Sequence, residues 1–288
     1  MRKAIKMQRQ TYSVVNEKET LVYEETYDDN NNLIHYIDHQ ARPVSEKKFE
    51  YDEKNQITKE SELSEGVELQ RLELNYNDKG DVVEQNLFFS GEIYESIKTV
   101  ATENGFIRTT FQDGDEVYRV ENTTEGKNFT NKHYNYEELV NVEVSTFDED
   151  TITSEKIIYD AEENVLVRRV EVYNEEKELV VFKEFNANNQ LVNKSEVERK
   201  DGKVFKEIKS DFVRGEIDNE IHYDYDEKGN LIKTETRTNS GQLVDFQVKV
   251  YDEQNRVVEE SGVSNGKFNA IYGTYIDGSN YHFVHRYV

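Results

Sequence analysis

The chain has 288 residues, with 60 acidic against 36 basic side chains and a net charge of −24. That balance excludes a surface built to neutralise nucleic-acid phosphates and works against anionic membrane surfaces. The absence of cysteine excludes disulfides, thiolate catalysis and Cys-ligated zinc.

Apolar residues make up 35% of the chain, which invites a reading as disorder, but 19 Tyr and 14 Phe in regular alternation argue for a folded chain with a thin core. The period of two is weak in the first ten residues. Their basic start, Met1-Arg-Lys, is not followed by the apolar stretch of a secretory signal. Leu21 and Tyr23 then face one way and Glu24 and Thr26 the other, the period of two that predicts a strand.

This strand runs into Tyr27-Asp-Asp-Asn-Asn-Asn-Leu33, the first copy of a setting that returns along the chain. An aromatic residue closes a strand, Asp or Asn follows and bonds back to nearby backbone, and a branched apolar residue opens the next strand. The clearest copies are Tyr51–Ile57, Tyr76–Val82, Tyr225–Leu231 and Tyr251–Val257, with looser ones at Tyr159–Val165, Tyr173–Leu179 and Phe185–Leu191. Gly or Asn stands four residues after the aromatic at Asn31, Asn55, Gly80, Asn189, Gly229 and Asn255, and these types best tolerate the positive φ of a tight hairpin loop. The aromatic and the branched residue can meet across the hairpin, which predicts equivalent and largely buried tyrosines at Tyr51, Tyr76, Tyr225 and Tyr251.

Weaker turn signals fall between these, at Ser64–Gly66, Ser90-Gly91, Glu103–Gly105, Glu125-Gly126, Asp201-Gly202, Arg214-Gly215, Asn239–Gly241 and Asn265-Gly266. Together the two sets place a turn about every 12 residues. Leu72, Leu74 and Tyr76 share one strand face, with Arg71, Glu73 and Asn75 on the other, while Leu179–Phe182 is apolar on both. The period of two is weak over Tyr134–Val144. No linker interrupts the series, so residues 1–288 read as a single continuous β-repeat domain, with 1–20 as a capping segment and 265–288 as C-terminal capping strands. The expected fold is all-β: a long antiparallel meander of about 20 strands with almost no helix, laid out as an open coiled single-layer sheet or a spiral.

The Tyr-Asp-x-x-Gly-x-Leu pattern, best matched at Tyr225–Leu231 and followed closely at Tyr51, Tyr76 and Tyr251, resembles the YD repeats of Rhs and teneurin proteins. The resemblance implies a long spiralling antiparallel sheet and an association with bacterial interaction and conflict systems. It does not extend to a toxin-enclosing shell, which takes far more repeats, or to that family's self-cleaving C-terminal core, of which there is no sign.

Chemistry-bearing motifs are sparse. There is no Gly-x-Gly-x-x-Gly, no Gly-Lys-Ser/Thr and no Gly-x-Ser-x-Gly. Asp224-Tyr-Asp226-Glu-Lys228-Gly229 opens like a calcium loop and Glu235 falls at its twelfth position, but Lys228 occupies a ligand position and Leu231–Arg237 reads as a strand, so a plain hairpin is expected. His35 and His39 share a strand face about 13 Å apart, too far for one ion, and His282 and His285 point to opposite faces.

No catalytic, cofactor-binding or metal-binding residue is therefore assigned, and no cofactor is expected. The expected function is a non-catalytic protein-binding module with an acidic repeat surface, in its most concrete form a bacterial immunity or antitoxin protein. Its partner would be a protein with a basic surface, such as a toxin, with no direct nucleic-acid contact and no membrane contact. The alternatives are a surface or periplasmic structural repeat protein and an acidic nucleic-acid mimic that inhibits a DNA-binding protein. Since no 18-residue apolar run is present, the chain is expected in the cytoplasm, or secreted or at the surface if a leader has been removed.

Overall fold

The computed structural model describes residues 5–213, 217–264, 268–269, 274–275 and 279–288. The described residues form 24 strands and no helix. Twenty-two strands belong to one antiparallel sheet, and Phe268–Asn269 and Thr274–Tyr275 form a separate two-stranded ribbon. Neighbours in the sheet follow chain order, as each hairpin folds back on the strand before it.

The all-β meander is as the turn spacing predicts, but the open coiled sheet or spiral is not. The first strand, Ile5–Val15, pairs with the second and also with the last, Ser279–Tyr287. Gln8 and Val288 exchange both backbone hydrogen bonds at 2.9 Å, and Thr11 Oγ1 meets His285 Nδ1 at 2.9 Å. The pairing therefore returns to its start, and the sheet is closed as a barrel. The likeness to YD repeats is corrected with it, because closure satisfies both edges that an open spiral leaves unpaired.

Contacts divide the chain into two compact units, one of residues Met1–Ser13, Lys18–Val142 and His285–Val288, the other of Val14–Glu17 and Glu143–Val284. The segments where the period of two is weakest are strands as well: Ile5–Val15 covers most of the first ten residues, and Asn128–Asn135 and Glu138–Asp148 cover most of Tyr134–Val144. The turn signals at Arg214-Gly215 and Asn265-Gly266 lie outside the described residues.

The repeated hairpin has one geometry in both units. The residue four places after the aromatic has positive φ in every copy, between 57° and 90° at Asn31, Asn55, Gly80, Glu163, Lys177, Asn189, Gly229 and Asn255. At Asp52 the backbone N–H donates to Gln56 O at 2.9 Å and its C=O accepts from Asn55 N at 3.2 Å, a type I turn whose last residue is left-handed. Asp52 Oδ1 accepts from the N–H groups of Lys54 and Gln56. Asp226 repeats this toward Asn230, and Asp28, only 1% exposed, does so toward Asn30 and Asn32. The short acidic side chain thus satisfies donors that the turn would otherwise leave open.

These bonds favour the ionised form. The Asn230 side chain and backbone hold the Asp226 carboxyl below the usual carboxylate range, the Arg256 backbone and side chain do so for Asp252, and Asn164 does so for Asp160. A depressed folded-state pKa stabilises the turns above the unfolded value of about 4, and that contribution is lost as pH falls through the folded value. Amide exchange at Asn230 and Arg256 is expected to accelerate on acidification below about pH 4 relative to mid-strand amides. Unchanged relative protection down to pH 2 or so would contradict the assignment.

The tyrosines are equivalent but half-buried, a correction to the expected burial. Their rings serve to reach back. Tyr51 donates its O–H to Leu33 O (2.8 Å), Tyr76 to Ile57 O (2.6 Å), Tyr225 to Val204 O (3.0 Å) and Tyr251 to Leu231 O (3.0 Å). Each acceptor lies at the start of the preceding strand, as its first residue at Leu33, Ile57 and Leu231 and its second at Val204, so the ladder ties turns to one another. Asparagines bridge tips in the same way: Asn30 and Asn32 donate to Asn55 Oδ1, and Asn230 donates to Asn255 Oδ1.

Candidate functional site

The core is as thin as the composition implies. Among the described residues only Val22 and Leu63 are buried apolar side chains, joined by buried Thr11, Asp28 and Ser61. Side chains therefore sit in cross-strand rows on two half-exposed faces. In the first unit one row reads Glu50, Lys59, Glu73, Asn86, Ser96, Phe111. The row beside it on the opposite face reads Phe49, Glu60, Leu72, Leu87, Glu95, Gln112. Both faces carry ionised groups at mid-strand.

In the second unit one row reads Ser154, Glu171, Phe182, Ser195, Lys209, Asn219, and its neighbour on the same face reads Lys156, Arg169, Glu184, Asn193, Asp211. The opposite face carries Glu155, Val170, Lys183 and Lys194 in register. Phe182 was expected among residues apolar on both faces; it stands instead between Glu171 and Ser195, and its strand is not doubly covered.

The residues singled out by sequence do not converge. His35 Nε2 meets Glu46 Oε2 at 3.1 Å, while His39, beyond the end of its strand, meets Glu24 Oε2 at 2.9 Å. His282 pairs with Glu259 at 2.9 Å. Asp226 and Gly229 form the hairpin just described, Gly229 with φ 90°, and Glu235 binds Lys233 and Arg237 on the following strand. No group of three His, Asp or Glu that could hold a metal ion occurs among the described residues.

What the sequence did not single out is an apolar cluster at the ends of the strands Val67–Tyr76, Val82–Phe89 and Glu92–Thr102. Leu69 is 49% exposed, Phe89 40%, Ile93 53% and Tyr94 49%. The Phe89 and Tyr94 rings meet edge to face with centroids 5.2 Å apart, and Ser90 N–H donates to Leu69 O at 3.4 Å. Leu69 and Tyr94 are the extra residues at irregularities in the pairing, which turns them out of the regular alternation. Exposed Glu65, Glu92 and Asp113 flank the cluster.

No family model matches the chain, and no curated protein matches it. Among solved structures it is similar to a porin-like protein from Bacteroides uniformis, at 7% identity and a TM-score of 0.33 over 99% of this chain and 96% of that one. A porin-like protein from Bacteroides vulgatus gives 8% identity and a TM-score of 0.27 over 97% of each chain.

The expectations of a cytoplasmic location and of no membrane contact are corrected here. Both drew on the lack of a long apolar run. That criterion detects helices, and indeed no helix of the described residues is long and apolar enough to cross a membrane. Strands cross in only about 9–11 residues, and a closed antiparallel barrel is one of the two backbone arrangements that a bilayer core accepts. The closed sheet removes that ground from both expectations.

Proposed function

We propose that this chain is a non-catalytic binding protein that engages another protein through the cluster of Leu69, Phe89, Ile93 and Tyr94. The observation that carries this reading is the edge-to-face pair of Phe89 and Tyr94, with Leu69 and Ile93 at the same strand ends and all four 40–53% exposed, on a chain of net charge −24. An apolar centre with a charged periphery is the anatomy of a protein interface, and paired aromatic rings are its usual anchors. The immunity role is not carried forward, since it depended on the YD-repeat association.

The double variant Phe89→Ser/Tyr94→Ser tests it. A protein retained by the immobilised wild-type chain at low salt is expected to bind the variant at least about tenfold more weakly, the loss of two hot-spot rings. Equal retention by both chains would contradict the reading.

A second reading is favoured by the closed antiparallel ladder, a barrel inserted in a bilayer. It must bring mid-strand ions with it, such as the Glu155–Arg168 pair at 2.5 Å, and on a lipid-facing surface a cation at the bilayer midplane costs about 2–4 kcal/mol. Flotation with phosphatidylcholine vesicles after refolding in detergent separates the two: the barrel reading requires co-flotation that resists high salt and carbonate.

A further inference from the structure

Phe182 stands between two hollows of the second unit, each about 310 Å³. On one side lie Ser154, Lys156, Arg169, Glu171 and Glu184; on the other lie Asn193, Ser195, Lys209, Asp211 and Asn219. All of these side chains belong to the two adjacent rows on one face, one crossing six strands and the other five. At about 4.8 Å per strand, the longer row extends roughly 24 Å.

The hollows are lined by basic as well as acidic residues although the chain is strongly acidic: Lys156, Arg169, Lys194 and Lys209 stand with Glu171, Glu184 and Asp211. The ions are also held in pairs. Arg169 binds Glu184 at 2.7 Å, Lys156 binds Glu143 at 3.3 Å and Lys209 binds Glu207 at 3.3 Å. Asn193 donates to Glu184 Oε1 at 2.9 Å and Ser195 to Glu207 Oε1 at 2.8 Å. The network presents fixed donors and acceptors, and its three cations Lys156, Arg169 and Lys209 are each matched to a carboxylate, so none of the three is left to hold an anionic ligand. At its two ends, Ser154 and Asn219 make no side-chain hydrogen bond among the described residues and are available to a ligand.

A ligand that suits one aromatic face and polar groups on both sides must itself have apolar C–H faces edged by hydroxyls. We infer that this groove binds a neutral oligosaccharide running across the strands, with one sugar ring stacked on Phe182 and the flanking rings hydrogen-bonded in the two hollows. The site lies wholly in the second unit and does not depend on the Phe89–Tyr94 cluster of the first, so either assignment can fail without the other.

Calorimetric titration of the full chain with cellohexaose, maltohexaose and xylohexaose, each beside its monosaccharide, tests the inference. At least one hexasaccharide is expected to bind with a Kd below about 1 mM and at least about tenfold more tightly than its monosaccharide. Phe182→Ala should weaken that binding by about tenfold while Phe182→Tyr keeps it, because tyrosine retains the stacking face. Should Phe182→Ala lose the native circular dichroism, Asn219→Ala and Ser154→Ala carry the test, each with an expected loss of about threefold to tenfold from one missing hydrogen bond. The inference is overturned if no hexasaccharide binds below about 1 mM, if the Phe182 and end-residue variants bind as the wild type does, or if hexalysine or hexaglutamate binds there in preference to the saccharides.

Discussion

Gly262→Val is expected to lower stability by about 3 kcal/mol, the upper range for forcing atoms into a filled site. Gly262 lies directly across from Tyr281 in the pairing of Val257–Ser264 with Ser279–Tyr287. A Cβ at this position would collide with the backbone oxygen of Phe246 and would lie 2.8 Å from the Tyr281 hydroxyl oxygen. The tyrosine ring covers the bare backbone, the arrangement by which an aromatic neighbour compensates a strand glycine. Backbone on one side and a ring on the other leave no flexible side-chain end to yield. Urea unfolding checks this. A midpoint within error of wild type would mean that the ring does not lie over the glycine.

The second large effect is expected in the tyrosine ladder. Tyr76→Ala should cost about 2 kcal/mol, below the usual aromatic truncation because the ring is only half-buried. Tyr76→Phe should cost about 1 kcal/mol, the value of the 2.6 Å hydrogen bond to Ile57 O. The two variants separate ring packing from the tie between hairpins. If Tyr76→Phe were neutral, the ladder would be held by packing alone.

Local structure was the part legible in the sequence. An Asp or Asn after an aromatic, followed by Gly or Asn at the left-handed position, specifies a hairpin through bonds that span four residues, and all of those turns form. Even Glu163 and Lys177, which lack the favoured residue types, take positive φ because the flanking turn bonds impose it. Closure was not legible. It depends on Gln8 meeting Val288, a contact with no local signature, and the polar alternation of Ile5–Val15 gives no sign of a strand paired on both sides.

The sites were hidden for a related reason. Ser154, Phe182 and Asn219 fall in one row only through registers that accumulate across six strands, four of the five pairings with an irregularity that shifts the count by one. The histidines attracted notice through their spacing, yet each is turned to its own partner. The exposed Leu69 and Tyr94 broke alternation at pairing irregularities, which sequence period alone reads as noise.

The closed sheet is tested most directly by a cross-link between its first and last strands. The chain contains no cysteine, so Gln8→Cys/Val288→Cys introduces the only two thiols. Residues that exchange both backbone hydrogen bonds stand with Cα atoms about 5.5 Å apart, within reach of a disulfide. Mild oxidation is expected to give an intramolecular disulfide in the folded monomer, seen as a shift in non-reducing electrophoresis, and none in denaturant at the same dilution. A folded monomer that keeps both thiols free, or links only between molecules, would show that the two ends do not meet and that the sheet is open.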